Sequence, residues 1–198
     1  MNKVFLSILA VIAVIVILIG TTFTGIYNQL VWAEEQVKSA WAQVENVYQR
    51  RLDLIPNLVE TVKGYAVHEQ RTLQGVVEAR SKISQMQISP EIVSDPALLA
   101  RFQQAQDELS STLSRLLVVV EQYPDLKASQ NFLALQTQLE GTENRISVER
   151  RRYNESAQAF NTLRRTVPNV FIAHWMGFKE KSYFQADETA AKAPSVKF

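Results

Sequence analysis

Residues 4–33 contain no charged side chain, and residues 4–19 are apolar throughout except for Ser7. A helix rising 1.5 Å per residue needs about 20 residues to cross a hydrocarbon core of roughly 30 Å. Residues 4–24 meet that length, because Thr21, Thr22 and Thr24 can bond back to carbonyls of their own helix. Tyr27 and Trp32 follow, where amphipathic aromatics collect at a membrane interface. The competing reading is a cleaved signal peptide with Lys3 as a minimal basic head. The apolar run outlasts the usual core of about 7–15 residues, and Gly20, Thr21, Thr22, Phe23, Thr24 and Gly25 make poor cleavage sites. An uncleaved anchor in the lipid bilayer through residues 4–24 is therefore expected. Lys3 precedes the span and Lys38 alone follows within about 15 residues. That small margin puts the bulk of the chain outside the cytoplasm.

Beyond residue 30 the pattern changes. Prolines and Ser/Asp clusters fall at Pro56, at 89–96, at Pro124 and at Pro168, and between them apolar positions recur at three and four. This is the mark of helices with one buried stripe. Phe132, Leu139, Ile146, Tyr153, Phe160 and Val167 stand seven apart, while Leu135 and Leu163 begin and end a companion seam. A third helix carries Phe102, Leu109, Leu116 and Tyr123, flanked by Leu113, Val119 and Val120. The second carries Val59, Val62, Ala66, Leu73, Val76 and Ile83. The first carries Leu30, Val37, Trp41, Val44 and Tyr48, in position to run on directly from the span.

Proline pushes the residue before it out of the α region, so Ile55-Pro56 predicts a turn or kink. Asp95-Pro96 predicts an N-cap with proline at the first helical position. Tyr123-Pro124-Asp125 predicts a short connection between antiparallel neighbours. Six glycines and six prolines in 198 residues are too few for a turn-rich all-β chain. The expected fold class is all-α: an N-terminal transmembrane helix followed by an antiparallel four-helix bundle. The expected division is an anchor at 1–26, a bundle with a C-terminal aromatic cap at 27–186 and a flexible Ala/Lys/Pro-rich tail at 187–198.

Polar residues interrupt the stripes. Thr142, Glu149 and Ser156 fill the companion seam between Leu135 and Leu163, Arg51 continues Leu30, Val37 and Val44, Glu69 continues Val62, and Arg80 continues Ala66 and Leu73. An unpaired buried charge is costly, so charges on a core-facing stripe call for partners. Pairing among Arg51, Glu69, Arg80 and Glu149 is expected, with Asn144 and Asn154 as candidate hydrogen-bond partners. The alternative is that these groups snorkel at the stripe edges.

Little in the chain suggests catalysis. With no cysteine there is no thiolate nucleophile or zinc–thiolate site. A di-iron bundle needs Glu-x-x-His, but Tyr65 and Phe171 stand three residues before His68 and His174. His68-Glu69 is not a zincin motif, because residue 72 is threonine. His68 reads as a helix-surface or end-layer histidine. No catalytic residue, metal ligand, cofactor or small-molecule substrate is assigned, and the net charge of +1 speaks against nucleic acid. Phe171, Trp175, Phe178, Tyr183 and Phe184, with Lys179 and Lys181 among them, form the remaining feature. Such a cluster closes the open end of a bundle, or offers a membrane or partner surface.

Several blocks carry a resemblance. They are Arg50 to Val59 (RRLDLIPNLV), Thr61 to Ala66 (TVKGYA) with His68-Glu69, Glu121 to Lys127 (EQYPDLK), Glu140 to Ile146 (EGTENRI) and Arg152-Tyr153-Asn154. In these blocks, and from Tyr27 to Phe184, the chain resembles the LemA proteins, bacterial membrane-anchored helical proteins. The resemblance implies a single-pass protein of the inner (cytoplasmic) membrane with a four-helix bundle, and it supplies no activity. It also suggests that Gly64 and Gly141 allow close packing, and that Arg51, Asp53, Glu143 and Arg145 form a charged layer. The expected function is a non-enzymatic envelope scaffold or adaptor that assembles with itself or with other envelope proteins. The alternatives are a membrane-shaping protein that uses the C-terminal segment and, more weakly, a hydrolase or metal enzyme using the polar seam.

Overall fold

The computed structural model describes residues 3–66, 69–86 and 90–185. His68 and the tail at 187–198 lie outside the described residues. Helix α1 runs unbroken for 61 residues, Lys3–Lys63. It is followed by α2 (Gln70–Ser84), a 3-10 turn (Pro90–Ser94), α3 (Pro96–Val120), the single turn α4 (Pro124–Lys127), α5 (Gln130–Arg165) and the short α6 (Asn169–Trp175). The regular secondary structure of the described residues is all helical, with no strand among them. Asp95 caps α3 as expected: its carboxylate accepts from the N–H groups of Ala97 and Leu98 at 2.9 and 3.1 Å.

Ile55-Pro56 neither ends nor interrupts the first helix, contrary to the expected turn or kink. Proline has no N–H, so the Leu52 carbonyl four residues earlier loses its intrahelical partner. The Arg80 side chain replaces it, donating from Nε to that carbonyl at 3.0 Å. Val59 and Val62 therefore belong to α1, and the second helix begins only at Gln70. Near the break, Ala66 donates to the Val62 carbonyl at 2.9 Å.

Large apolar side chains between Phe5 and Ile19 are all exposed, whereas burial begins at Ile26 and recurs at Leu30, Val37, Trp41, Val44 and Tyr48. That change separates a lipid-suited segment from a protein-suited one within a single helix. Above it α1 packs chiefly on α5, while α2 packs on α3. One core gathers Ile55, Leu58 and Val62 with Val76, Leu109, Leu116 and Phe132. A second, aromatic core gathers Trp41 and Tyr48 with Phe102, Tyr153, Phe160 and Phe184. A third, small cluster joins Ile26 and Leu30 to Ala173. The heptad stripe of α5 is buried at Phe132, Ile146, Tyr153 and Phe160, but Val167 lies past the helix end and is 77% exposed. Gly141 has no neighbour within 4 Å of a would-be Cβ, and Gly64 approaches only carbonyls of its own helix, so neither serves close packing between helices.

Candidate functional site

Two polar arrangements cross the apolar stripes. In the first, Arg51 is 2% exposed between the two large cores. Its guanidinium donates to Glu143 Oε2 at 2.8 Å, to Ser110 Oγ at 2.9 Å and to the side-chain oxygen of Gln106. It also lies 5.3 Å from the centroid of the Tyr48 ring. Arg150 meets the same tyrosine, donating from Nε to its hydroxyl, and lies 3.8 Å from Asp107. Burial pushes the Tyr48 phenol up to about 12, against the pull of the Arg150 and Arg51 guanidiniums. The Glu45 carboxyl is likewise raised by burial, an effect opposed by the hydrogen bond from Trp41.

The structure does not bring Arg51, Glu69, Arg80 and Glu149 together. Glu69 accepts from the Tyr123 hydroxyl at 3.2 Å, Arg80 serves the Leu52 carbonyl, and Glu149 pairs with Arg152 at 2.8 Å. Of the residues suggested by the resemblance, Arg51 and Glu143 meet, while Arg145 is exposed and Asp53 accepts from Gln49. Asn144 is exposed, and Asn154 turns to the C-terminal segment.

That segment forms the second arrangement. Helix α6 ends at Trp175 and is closed by Gly177, whose φ of +77° suits glycine, with Gly177 N–H bonded to the His174 carbonyl and Phe178 N–H to the Ala173 carbonyl. The chain then continues without helix through 178–185, a strap lying against α1, α3 and α5. Three carboxamides grip it, each bonding both the N–H and the C=O of one strap residue. Asn161 holds Lys181, Asn154 holds Phe184 and Gln103 holds Gln185. The Tyr153 hydroxyl adds a bond to the Ser182 carbonyl at 2.7 Å. Burial raises that phenol too.

Against α1 the strap meets Tyr27, Glu34 and Trp41 in turn. The Phe178 ring lies 6.0 Å from Tyr27, Lys181 Nζ lies 2.7 Å from Glu34 Oε1, and the Phe184 ring stacks on Trp41 at 5.9 Å. Seven helical residues rise about 10.5 Å and three extended residues about 10 Å, so every third strap residue meets one face of α1. Asn154 and Asn161 are also seven apart, and they meet strap residues three apart.

The aromatic/lysine group thus divides. Lys181 and Phe184 are buried and Phe178 is partly buried, whereas Phe171, Trp175, Lys179 and Tyr183 are exposed. The sequence signal for this division is the matched spacing of Asn154 and Asn161 against Lys181 and Phe184. Beside the strap and α3 lies an open groove of about 1120 Å³, lined in part by Leu99, Gln103, Asp107, Arg164 and His174. Among the described residues no cluster of His, Asp and Glu has the arrangement of a metal site.

The family model described as the LemA family matches residues 40–198. The chain belongs to the LemA family. Protein LemA of Metamycoplasma hominis is 26% identical over 166 residues, covering 84% of this chain and 72% of the relative. Magnetosome protein MamQ 2 of Paramagnetospirillum magneticum is 28% identical over 211 residues, covering 96% and 74%. Magnetosome protein MamQ of Magnetospirillum gryphiswaldense is 26% identical over 207 residues, again covering 96% and 74%. The family match begins within α1 and runs on through the helices that follow and the strap. The two magnetosome relatives extend the similarity to nearly the whole chain. None of these names is that of an enzyme.

Proposed function

We propose that this LemA-family chain is a non-enzymatic, single-pass envelope protein that acts as a scaffold or adaptor at the bacterial inner membrane. In this reading residues 1–26 are the anchor and residues 27–186 form an antiparallel four-helix bundle of α1, α2, α3 and α5 on the extracytoplasmic side. The bundle assembles with further copies or with other envelope proteins. The observation that carries the reading is the unbroken α1. Its 61 residues, about 90 Å at 1.5 Å each, pass from an exposed apolar segment straight into the two large cores. A bundle joined to its anchor by continuous helix is held at a fixed height, which suits presenting a face and not turning over a substrate. The relatives' names support the non-enzymatic reading, since they state no reaction.

Photo-crosslinking from exposed positions such as Val118, on full-length protein in intact membranes, tests this. Discrete dimers or adducts with defined partners are expected; monomer from every exposed position would refute a scaffold. A second reading, in which the C-terminal segment also touches lipid, is favoured by the 5.7 Å contact of the Trp175 and Phe23 rings.

A further inference from the structure

Resting on the reading of α1 as a membrane anchor, we infer that α6 is an interfacial helix. Its Phe171 and Trp175 side chains sit at the headgroup–acyl boundary of the leaflet from which the span emerges. The first argument is level. Phe23 occupies the last turn of the 4–24 run, and about 20 residues of helix match the hydrocarbon thickness. A ring packed edge-on against Phe23 therefore lies at the boundary and not above it, and that ring is Trp175.

The second argument is the division of α6 into two faces. Ala173 is buried in the cluster with Ile26 and Leu30. Phe171 and Trp175, two residues before and after it and so on the opposite face, are 69% and 75% exposed. Val167, just before α6, extends the exposed apolar surface. Large aromatics turned outward beside the end of a span are what an aromatic belt requires, with an apolar body in lipid and, for tryptophan, an N–H in the headgroup layer.

The helix is also fixed in this position. Asn169 Nδ2 donates to the Leu163 carbonyl and to Thr166 Oγ1, both at 3.0 Å, and beyond Gly177 the Phe178 ring contacts Tyr27. Charge fits the same occupant. Arg165, at the end of α5, and Lys179, in the strap, are exposed on either side of α6 in the chain and His174 is exposed within it, while the nearby acids Glu180 and Glu34 are paired with Arg164 and Lys181. Among the described residues the charge left without an ion pair at this end is therefore basic, which favours anionic headgroups. The occupant is the bilayer that the chain itself spans, and the chain stands on it at two places.

The absence of cysteine makes the test direct. Single cysteines replacing Phe171, Leu9 and Val118 are spin-labelled in the full chain, reconstituted in phosphatidylcholine–phosphatidylglycerol vesicles. Collisions are compared between oxygen, which partitions into lipid, and a water-soluble nickel chelate. The labels at Leu9→Cys and Phe171→Cys should both favour oxygen, the second at shallower depth, while Val118→Cys favours the chelate. In parallel, lipid brominated near the headgroup should quench wild-type tryptophan fluorescence more than that of Trp175→Phe. If Leu9→Cys favours oxygen but Phe171→Cys behaves like Val118→Cys, the inference is overturned and the anchor stands. If Phe171→Cys is shielded from both reagents, protein covers α6 and the inference again fails. If Leu9→Cys favours the chelate, the anchor fails and the inference with it.

Discussion

Pro56 lies inside α1, yet the helix continues, because Arg80 donates to the carbonyl that proline leaves without a partner. Proline in a helix interior costs about 3 kcal/mol relative to alanine, so Pro56→Ala should stabilise the protein. Arg80→Met keeps the apolar stem and removes the donor. With Pro56 present it strands a carbonyl of Leu52, a residue only 3% exposed, and should cost about 1.5–3 kcal/mol, as for hydrogen bonds from charged groups. With alanine at 56, the restored N–H serves Leu52 and the same replacement should cost at most about 1 kcal/mol. The two substitutions should therefore couple by about 1–2 kcal/mol, well above the roughly 0.3–0.5 kcal/mol scatter of independent sites. Urea unfolding of the full chain and the three variants in mild detergent, followed by circular dichroism, measures the cycle. If the single effects sum to the double, Arg80 does not compensate for Pro56 and the explanation of the unbroken helix is wrong.

Replacing Asn161 by leucine removes both bonds to the Lys181 backbone and should cost about 1–3 kcal/mol. Hydrogen exchange should quicken at Lys181 and Phe184 while α2 and α3 keep their protection; unchanged strap exchange would deny the clasp. Alkaline pH should destabilise the fold through Tyr48. Its folded value of about 12 lies above the ordinary 10, so its contribution is complete below pH 10 and is lost as pH rises from 10 through 12, by about 2–3 kcal/mol. Tyr48→Phe should flatten that decline, and an equal decline in both proteins would contradict the assigned cause.

The sequence made parts of this structure legible for physical reasons. The α5 stripe was readable because large side chains repeat every seven residues over most of a 36-residue helix, and Asp95-Pro96 because capping is local. Pro56 was misread because a local rule was outweighed from 28 residues away. Arg51 was found on its stripe, but Glu143 was not predicted from the seam pattern. Its carboxylate is half-exposed and reaches a buried guanidinium from outside the seam. Lys181 belongs in sequence to one aromatic/lysine cluster that reads as a bundle cap or as a membrane or partner surface, and nothing local separates it from the exposed Lys179. The burial of Lys181 depends on Glu34, which is 147 residues away.

The seven-to-three match between helix and strap restricts how such a chain can change length. One residue inserted between Phe178 and Phe184 moves every later peg by about 3.4 Å, out of reach of its carboxamide. One residue inserted in α1 between Tyr27 and Trp41 turns the helix by about 100° and swings the facing side chains away. A tolerated insertion must add a whole heptad to α1, another to α5 and a triplet to the strap together. Length in this part of the chain is thus quantised in steps of about 10 Å. Deletions that break the step should be far more damaging here than in the connection between α1 and α2.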